Sequence, residues 1–265
     1  MAYPDRPESG SVLHWREGAV AHLRFNRPQA LNALDVPMTA AFHAACVEIE
    51  ADAAARVLVI AGEGRAFLAG GDVAAMAAAP VATARDLIRE MHGAITVLNR
   101  MRMPVIGQVH GAAAGAAIGV LMACDLVAAA EGAKFSLAFP AIGASADSSS
   151  TWGLPRTMGM RRALRFALLG ETLDAAQACE AGLASAVFPT AELAAAVAQW
   201  ASRIASSAPL ALGAIKRLLR GSLGHSLEEH LEVEAEAFLA CAGTHDFAEG
   251  AAAFLAKRPA RFEGR

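Results

Sequence analysis

The chain is short of charge. Asp, Glu, Lys and Arg make up 18% of its 265 residues, against roughly 25% in ordinary globular chains. A net charge of −3 at pH 7 gives no electrostatic footprint for nucleic acid or for an anionic membrane surface as partner. Cysteine is sparse too. The four, Cys46, Cys124, Cys179 and Cys241, are scattered and form no C-x-x-C pair. That argues against a disulfide framework or a thiolate zinc site and points to a reducing, cytoplasmic setting. The eight histidines show no ligand spacing, so no metal is expected. Long apolar runs are missing as well. The longest uncharged one, residues 111–124, has 14 residues, short of the roughly 18 needed to cross a bilayer, and reads as a buried helix. The first residues, "MAYPDRPESGSVLHW", carry an early acid and two prolines around no apolar centre, unlike a signal peptide.

What abounds is apolar side chain, 55% of the residues. One monomer would not comfortably hide that much, so a homo-oligomer is expected. Residues 12–25 alternate Ala21, Leu23 and Phe25 with Val20, His22 and Arg24 about Gly18, which predicts a hairpin. Asp35 is placed to cap a helix with Pro37 in its first turn, and Met38, Phe42, Ala45 and Ile49 form its apolar stripe. "RVLVIAG" reads as a strand, residues 74–83 as an Ala-rich loop, and Leu87, Met91, Ala94 and Leu98 as the buried stripe of a second helix. "PVIGQVHG" is another strand, and "DLVAAAEGAKFS" reads as a strand pair. Helix, strand and bend recur from residues 56 and 104, about 48 apart, a coarse internal repeat. From residue 157 onward helices dominate: Asp174 and Ser226 are caps, Ser226 heads a Ser-x-x-Glu capping box, Gly182 is a stop, and Pro209 stands near a helix start. "KRLLR" at 216–220 is expected to be a helix face.

Both repeated strands end on small residues. The first runs into "RAFLAGGDV", residues 65–73, and the second into "GAAAGAA", which opens an apolar helix at Gly115–Ala116. Glycine lets a backbone turn sharply and leaves its amides uncovered. The first amides of a helix also lack intrahelical partners and carry the positive end of its dipole. Two such bends side by side would suit an oxygen that turns negative during reaction; each alone is equally well a plain turn.

The segments "FNRPQALNALD", "RAFLAGGDV", "VHGAAAG", "ACDLVAAAEGAKFSLAF" and "FAEGAAAFLAKRPARFEG", in that order from Phe25 to Gly264, resemble the crotonase (enoyl-CoA hydratase/isomerase) family. The resemblance implies an α/β fold, a crotonase-like ββα superhelix over residues 1–200, with a helical C-terminal trimerisation region at 201–265 that assembles trimers or hexamers. It implies an acyl-CoA thioester as substrate, with coenzyme A part of that substrate and no separate cofactor. The amides of Gly71 and Ala116 would form the oxyanion hole. Ala30, Leu31 and the segment Ala69, Gly70, Gly71, Asp72 would line the path of the coenzyme, with Asp72 mainly holding the loop.

Hydratases of this family use two glutamates. Their positions fall at Gly119, which has no side chain, and near Phe139, a candidate to touch substrate. The remaining acid is Asp147. Gly143, Asp147, Trp152, Leu154, Pro155 and Arg156 fit a subgroup similar to the single-aspartate isomerases of phenylacetyl-CoA breakdown, although Ala146, Ser149 and Ser150 depart from its pattern. One carboxylate suffices to move a proton between carbons. Asp147 is therefore either that base or a helix cap, and Ser148–Ser150 are expected as solvated capping hydroxyls. A hydratase with an unusual acid–base set and a non-catalytic acyl-CoA binder stay as alternatives.

Overall fold

The computed structural model of the chain describes residues 6–265. Its large sheet opens with the hairpin of β1 (Val12–Glu17) and β2 (Val20–Phe25), antiparallel about Gly18. The sheet continues in parallel through β3 (Val57–Gly62) and β4 (Val105–Val109). A second, three-stranded sheet begins with β5 (Ala112–Ala114), reached from β4 across a sharp corner. β6 (Leu126–Ala130) returns to the large sheet and β7 (Lys134–Ser136) to the small one. β8 (Thr172–Asp174) and β9 (Ala186–Phe188) complete the small and the large sheet in turn.

Each turn of the chain thus gives one strand to the large sheet and a shorter stretch to an inner layer. Isolated parallel bridges Leu34–Gly71 and Leu68–Ala113 extend that layer to the earlier turns. The 48-residue repeat is this winding: β3 and β4 start at Val57 and Val105. The "DLVAAAEGAKFS" expectation is corrected here. Both strands form, but β6 and β7 join different sheets, because Gly111 and Ala133 turn the chain inward and the partners of β7 are β5 and β8. The apolar run 111–124 is likewise part strand, since β5 occupies its first residues.

Among the helices, α1 (Val36–Ala51) starts at Asp35, whose carboxylate accepts from the Met38 amide. The Ala-rich "loop" holds a short helix, α2 (Val73–Ala77), and the first residues of the second predicted helix, α3 (Pro80–Arg100), which begins earlier than expected. Asp72 caps the first and Pro80 begins the second, both ordinary start signals. α4 (Ala116–Ala123) is enclosed by the core. α5 (Ser150–Met158), α6 (Met160–Leu168) and α7 (Ala175–Glu180) follow, the last with a full Asp174–Gln177 capping box. α8 (Leu193–Ala205), α9 (Pro209–Gly221), α10 (Leu227–Ala242) and α11 (His245–Leu255) form the helical C-terminal region. Ser226 and Glu229 make the expected capping box.

The predicted stripes of α1 and α3 are buried, as are Ala21, Leu23 and Phe25 of β2. Phe25 packs on Phe42 of α1 at 5.0 Å between ring centres and edge-on to Phe67 at 5.8 Å. Such pairs contribute roughly 0.5–1.5 kcal/mol beyond area burial. They anchor the segment just ahead of the Gly70–Gly71 bend. "KRLLR" is a helix face, part of α9, and a divided one: Arg217 and Leu219 are exposed, whereas Lys216 is buried, its ammonium 2.7 Å from Asp125, which Arg220 also grips at 2.8 Å. The apolar stems of α9 carry these cations inward to the β4–β6 corner. No helix among the described residues is long and apolar enough to cross a membrane.

Candidate active site

The two bends meet. A Cβ built on Gly115 would stand 3.4 Å from Gly70 Cα, and one built on Gly70 would stand 3.1 Å from the Ala114 carbonyl oxygen. Both residues have positive φ, 89° and 58°. Only glycine offers that conformation and that closeness together at little cost.

The directions of the amides follow from the ladder. Leu34 donates to the Gly70 carbonyl at 2.7 Å, and Asp72 donates to the Leu34 carbonyl at 2.8 Å. A parallel bridge of this kind turns the amide of its central residue, Gly71, to the opposite side. Ala116 is the first residue of α4, so its amide has no intrahelical acceptor. Among the described residues no protein acceptor takes either amide.

Two staples hold the first bend. Buried Asn32 donates to the Glu63, Ala66 and Phe67 carbonyls and accepts from the Arg27 amide. The Arg27 guanidinium lies 3.2 Å from both Asp35 and Asp72, the caps of α1 and α2. The Ala75 amide, and then Arg27, hold the Asp72 carboxyl below the usual carboxylate range. Asp72 is thus a loop-holding residue, and it is not on the cavity wall.

That cavity, of about 240 Å³, opens beside both bends. Ala69, Gly70, Gly71, Gly115 and Ala116 form one wall; Met76, Leu87 and Met91 from α2 and α3 form another; Phe139 and Ile142 close a third. Asp147 and Ser148 also line it, and Asp147 is the one titratable side chain among the described lining residues. Ala30 and Leu31 lie outside the lining, although the Leu31 carbonyl accepts from the Ala69 amide at 3.1 Å. Sequence reasoning missed Thr39, Met76 and Ser148 as lining residues. Leu87 and Met91 were visible only as core, and the cavity uses the N-terminal half of their buried stripe.

Around Asp147 the expectations need correction. The residue before α5 is Ser149, and no side chain caps that helix. The Asp147 carboxylate instead accepts from the Ser148 hydroxyl at 2.8 Å, while its main-chain carbonyl accepts from Ser150. Ser148 and Ser150 are fully buried, not solvated, because the chain turns left-handed at Ser148 and Ser149 and folds them under α4. Gly119 makes room for this: a Cβ there would overlap the Ser148 carbonyl oxygen. His110 supports backbone, with its Nε2 2.9 Å from the Gly64 carbonyl. Arg258 pairs with Glu249.

Apposed glycine bends beside a small apolar cavity, carried on a spiral of strand pairs, recur in known relatives of the chain, and these define its class. Residues 16–265 match the family described as enoyl-CoA hydratase/isomerase. The chain is 35% identical to the 1,2-epoxyphenylacetyl-CoA isomerase of Escherichia coli K12, covering 96% of this chain and 98% of that protein. It is 37% identical to the 2,3-dehydroadipyl-CoA hydratase of the same organism, covering 94% and 97%. The crystal structure of an enoyl-CoA hydratase from Polaromonas sp. JS666 superposes with a TM-score of 0.90 at 31% identity, covering 96% of this chain and all of that one. The chain belongs to the enoyl-CoA hydratase/isomerase family and has the crotonase fold.

Proposed function

We propose that this protein isomerises enoyl-CoA thioesters, moving a double bond or rearranging a ring by a proton shuttle through Asp147. The observation that carries this is the solitary carboxylate on an otherwise neutral cavity wall. Hydration by two glutamates needs a second acid, and Gly119 and Phe139 supply none. A shuttle needs only one group, because the proton it removes is the proton it returns.

Asp147 takes a proton from one carbon of the acyl chain. The C–H electron pair runs into the thioester, and its oxygen becomes negative between the amides of Gly71 and Ala116. The Asp147 acid then returns the proton to another carbon, and the charge leaves the oxygen. Each amide donor aimed at such an oxygen is worth on the order of 10²–10³ in rate. No cofactor takes part, since coenzyme A enters with the substrate. Ala30, Leu31 and Ala69 to Asp72 would guide its pantetheine, and Phe139 would touch the acyl group. The relative named as an epoxyphenylacetyl-CoA isomerase makes aromatic ring esters the first to try.

Hydration is the second reading, favoured by the hydroxyls of Thr39, Ser145 and Ser148 among the lining residues, whose oxygens can still accept from a water. Incubation with a 3-enoyl-CoA and with crotonyl-CoA separates the two. Isomerisation of the first with no water added to the second is expected; the reverse pattern makes the protein a hydratase. Exposed Leu219, Leu223 and Phe254, at 69%, 72% and 83% of full accessibility, support a homotrimer or a dimer of trimers built through residues 201–265.

A further inference from the structure

Ser148 is a lining residue of the cavity whose chemistry the shuttle leaves unused. Its side chain is fully buried, it lines the cavity, and its hydroxyl donates to Asp147 Oδ1 at 2.8 Å. Asp147 Oδ2 has no partner among the described residues. The serine reaches this position only through a left-handed backbone, with φ 55°, a conformation costly for a residue with a Cβ. It also sits hard against Gly119, where an ideal Cβ would stand 2.6 Å from its own Cβ. Strain, burial and the missing side chain of Gly119 together fix one hydroxyl on one carboxylate oxygen.

We propose that Ser148 is a positioning residue for Asp147. By holding Oδ1 it points Oδ2 at the acyl carbons and leaves Oδ2 as the atom that exchanges the proton. Without the bond, the half-buried carboxylate turns freely about its own side-chain torsions, and the productive orientation becomes one among several. The inference rests on the role given to Asp147 above.

Two variants separate the hydroxyl from the backbone. Ser148→Ala removes the hydroxyl and keeps the strain; Ser148→Gly removes the hydroxyl and relieves it. Turnover of a 3-enoyl-CoA, affinity for a saturated acyl-CoA of equal length, and melting temperature are measured for both. Both variants are expected to lose kcat by about 10- to 100-fold, the scale of a misplaced catalytic group, with KM and affinity for the saturated ester within about threefold of wild type. Ser148→Gly is expected to melt no lower than Ser148→Ala while turning over just as slowly. Wild-type turnover in Ser148→Gly overturns the proposal, because the backbone alone would then explain the serine. Unchanged kcat in both, or a loss confined to KM, overturns it as well. A wild-type protein that hydrates rather than isomerises overturns the isomerase assignment alone, and the same two variants are then judged on hydration. A wild type inert towards both substrates overturns both.

Discussion

Gly119 and Ser148 share one space: a Cβ on the glycine would overlap the serine carbonyl oxygen. A glutamate at 119 and the present path of residues 147–149 are therefore mutually exclusive. Gly119→Glu is expected to displace the Asp147 loop and abolish isomerisation without conferring hydration. Even Gly119→Ala should cost about 1–3 kcal/mol, as overpacking does. Denaturant unfolding and the crotonyl-CoA assay check both statements.

Asp147→Asn keeps the shape of the side chain and removes the base. Turnover should fall by about 10²- to 10⁴-fold while a saturated acyl-CoA still binds, measured by calorimetry. Normal turnover with a lowered melting temperature would make Asp147 a structural residue.

Much of this was legible in the chain and some was not. Caps at Asp35, Asp174 and Ser226 and the stripe Met38–Phe42–Ala45–Ile49 are local signals, and local structure follows them. The three-residue strands β8 and β9 carry too few residues for a period to show, and their partners are distant in sequence. The bends were visible as Gly-rich stretches, but their contact is a product of the winding. Ser148 was misjudged because a run of serines before a helix signals capping. Only the opposing Gly119, 29 positions earlier in sequence, reveals it as buried. That the "KRLLR" helix face turns Lys216 inward was not legible for a similar reason: Asp125, which draws it in, is remote in sequence.

Lys216 and Asp125 illustrate what that last contact is worth. Lys216 is buried, and burial pushes its ammonium below its ordinary range while Asp125 opposes that shift. Removing Asp125 leaves the buried cation with the Met103 carbonyl and no counter-charge. Asp125→Ala should destabilise by roughly 3 kcal/mol or more, and adding Lys216→Met should recover much of the loss. Urea unfolding of the single and double variants measures this.

The Asp72 cap, held by the Ala75 amide and then by Arg27, gives a pH dependence. The folded-state value of Asp72 lies below its ordinary 3.8, so its contribution is complete above that pH. It disappears as pH falls through the lower folded value. The stability gap between wild type and Asp72→Asn should be constant above about pH 5 and shrink below about pH 4. A gap that widens in acid would show the opposite sign.

Thiol titration tests the core. Cys46 and Cys124 are buried, and burial pushes Cys124 up to about 12. At pH 8 no more than two thiols, Cys179 and Cys241, should react before denaturant is added.

The most direct test concerns the amides of Gly71 and Ala116. Proline is tolerated at the first position of a helix, so Ala116→Pro deletes one donor and should leave α4 formed. The carbonyl stretch of a 13C-labelled acyl-CoA thioester, read by infrared difference spectroscopy, should move to lower frequency on binding the wild-type protein. It should move clearly less on binding Ala116→Pro. A carbonyl whose frequency stays at its solution value in the saturated wild-type complex would contradict the account.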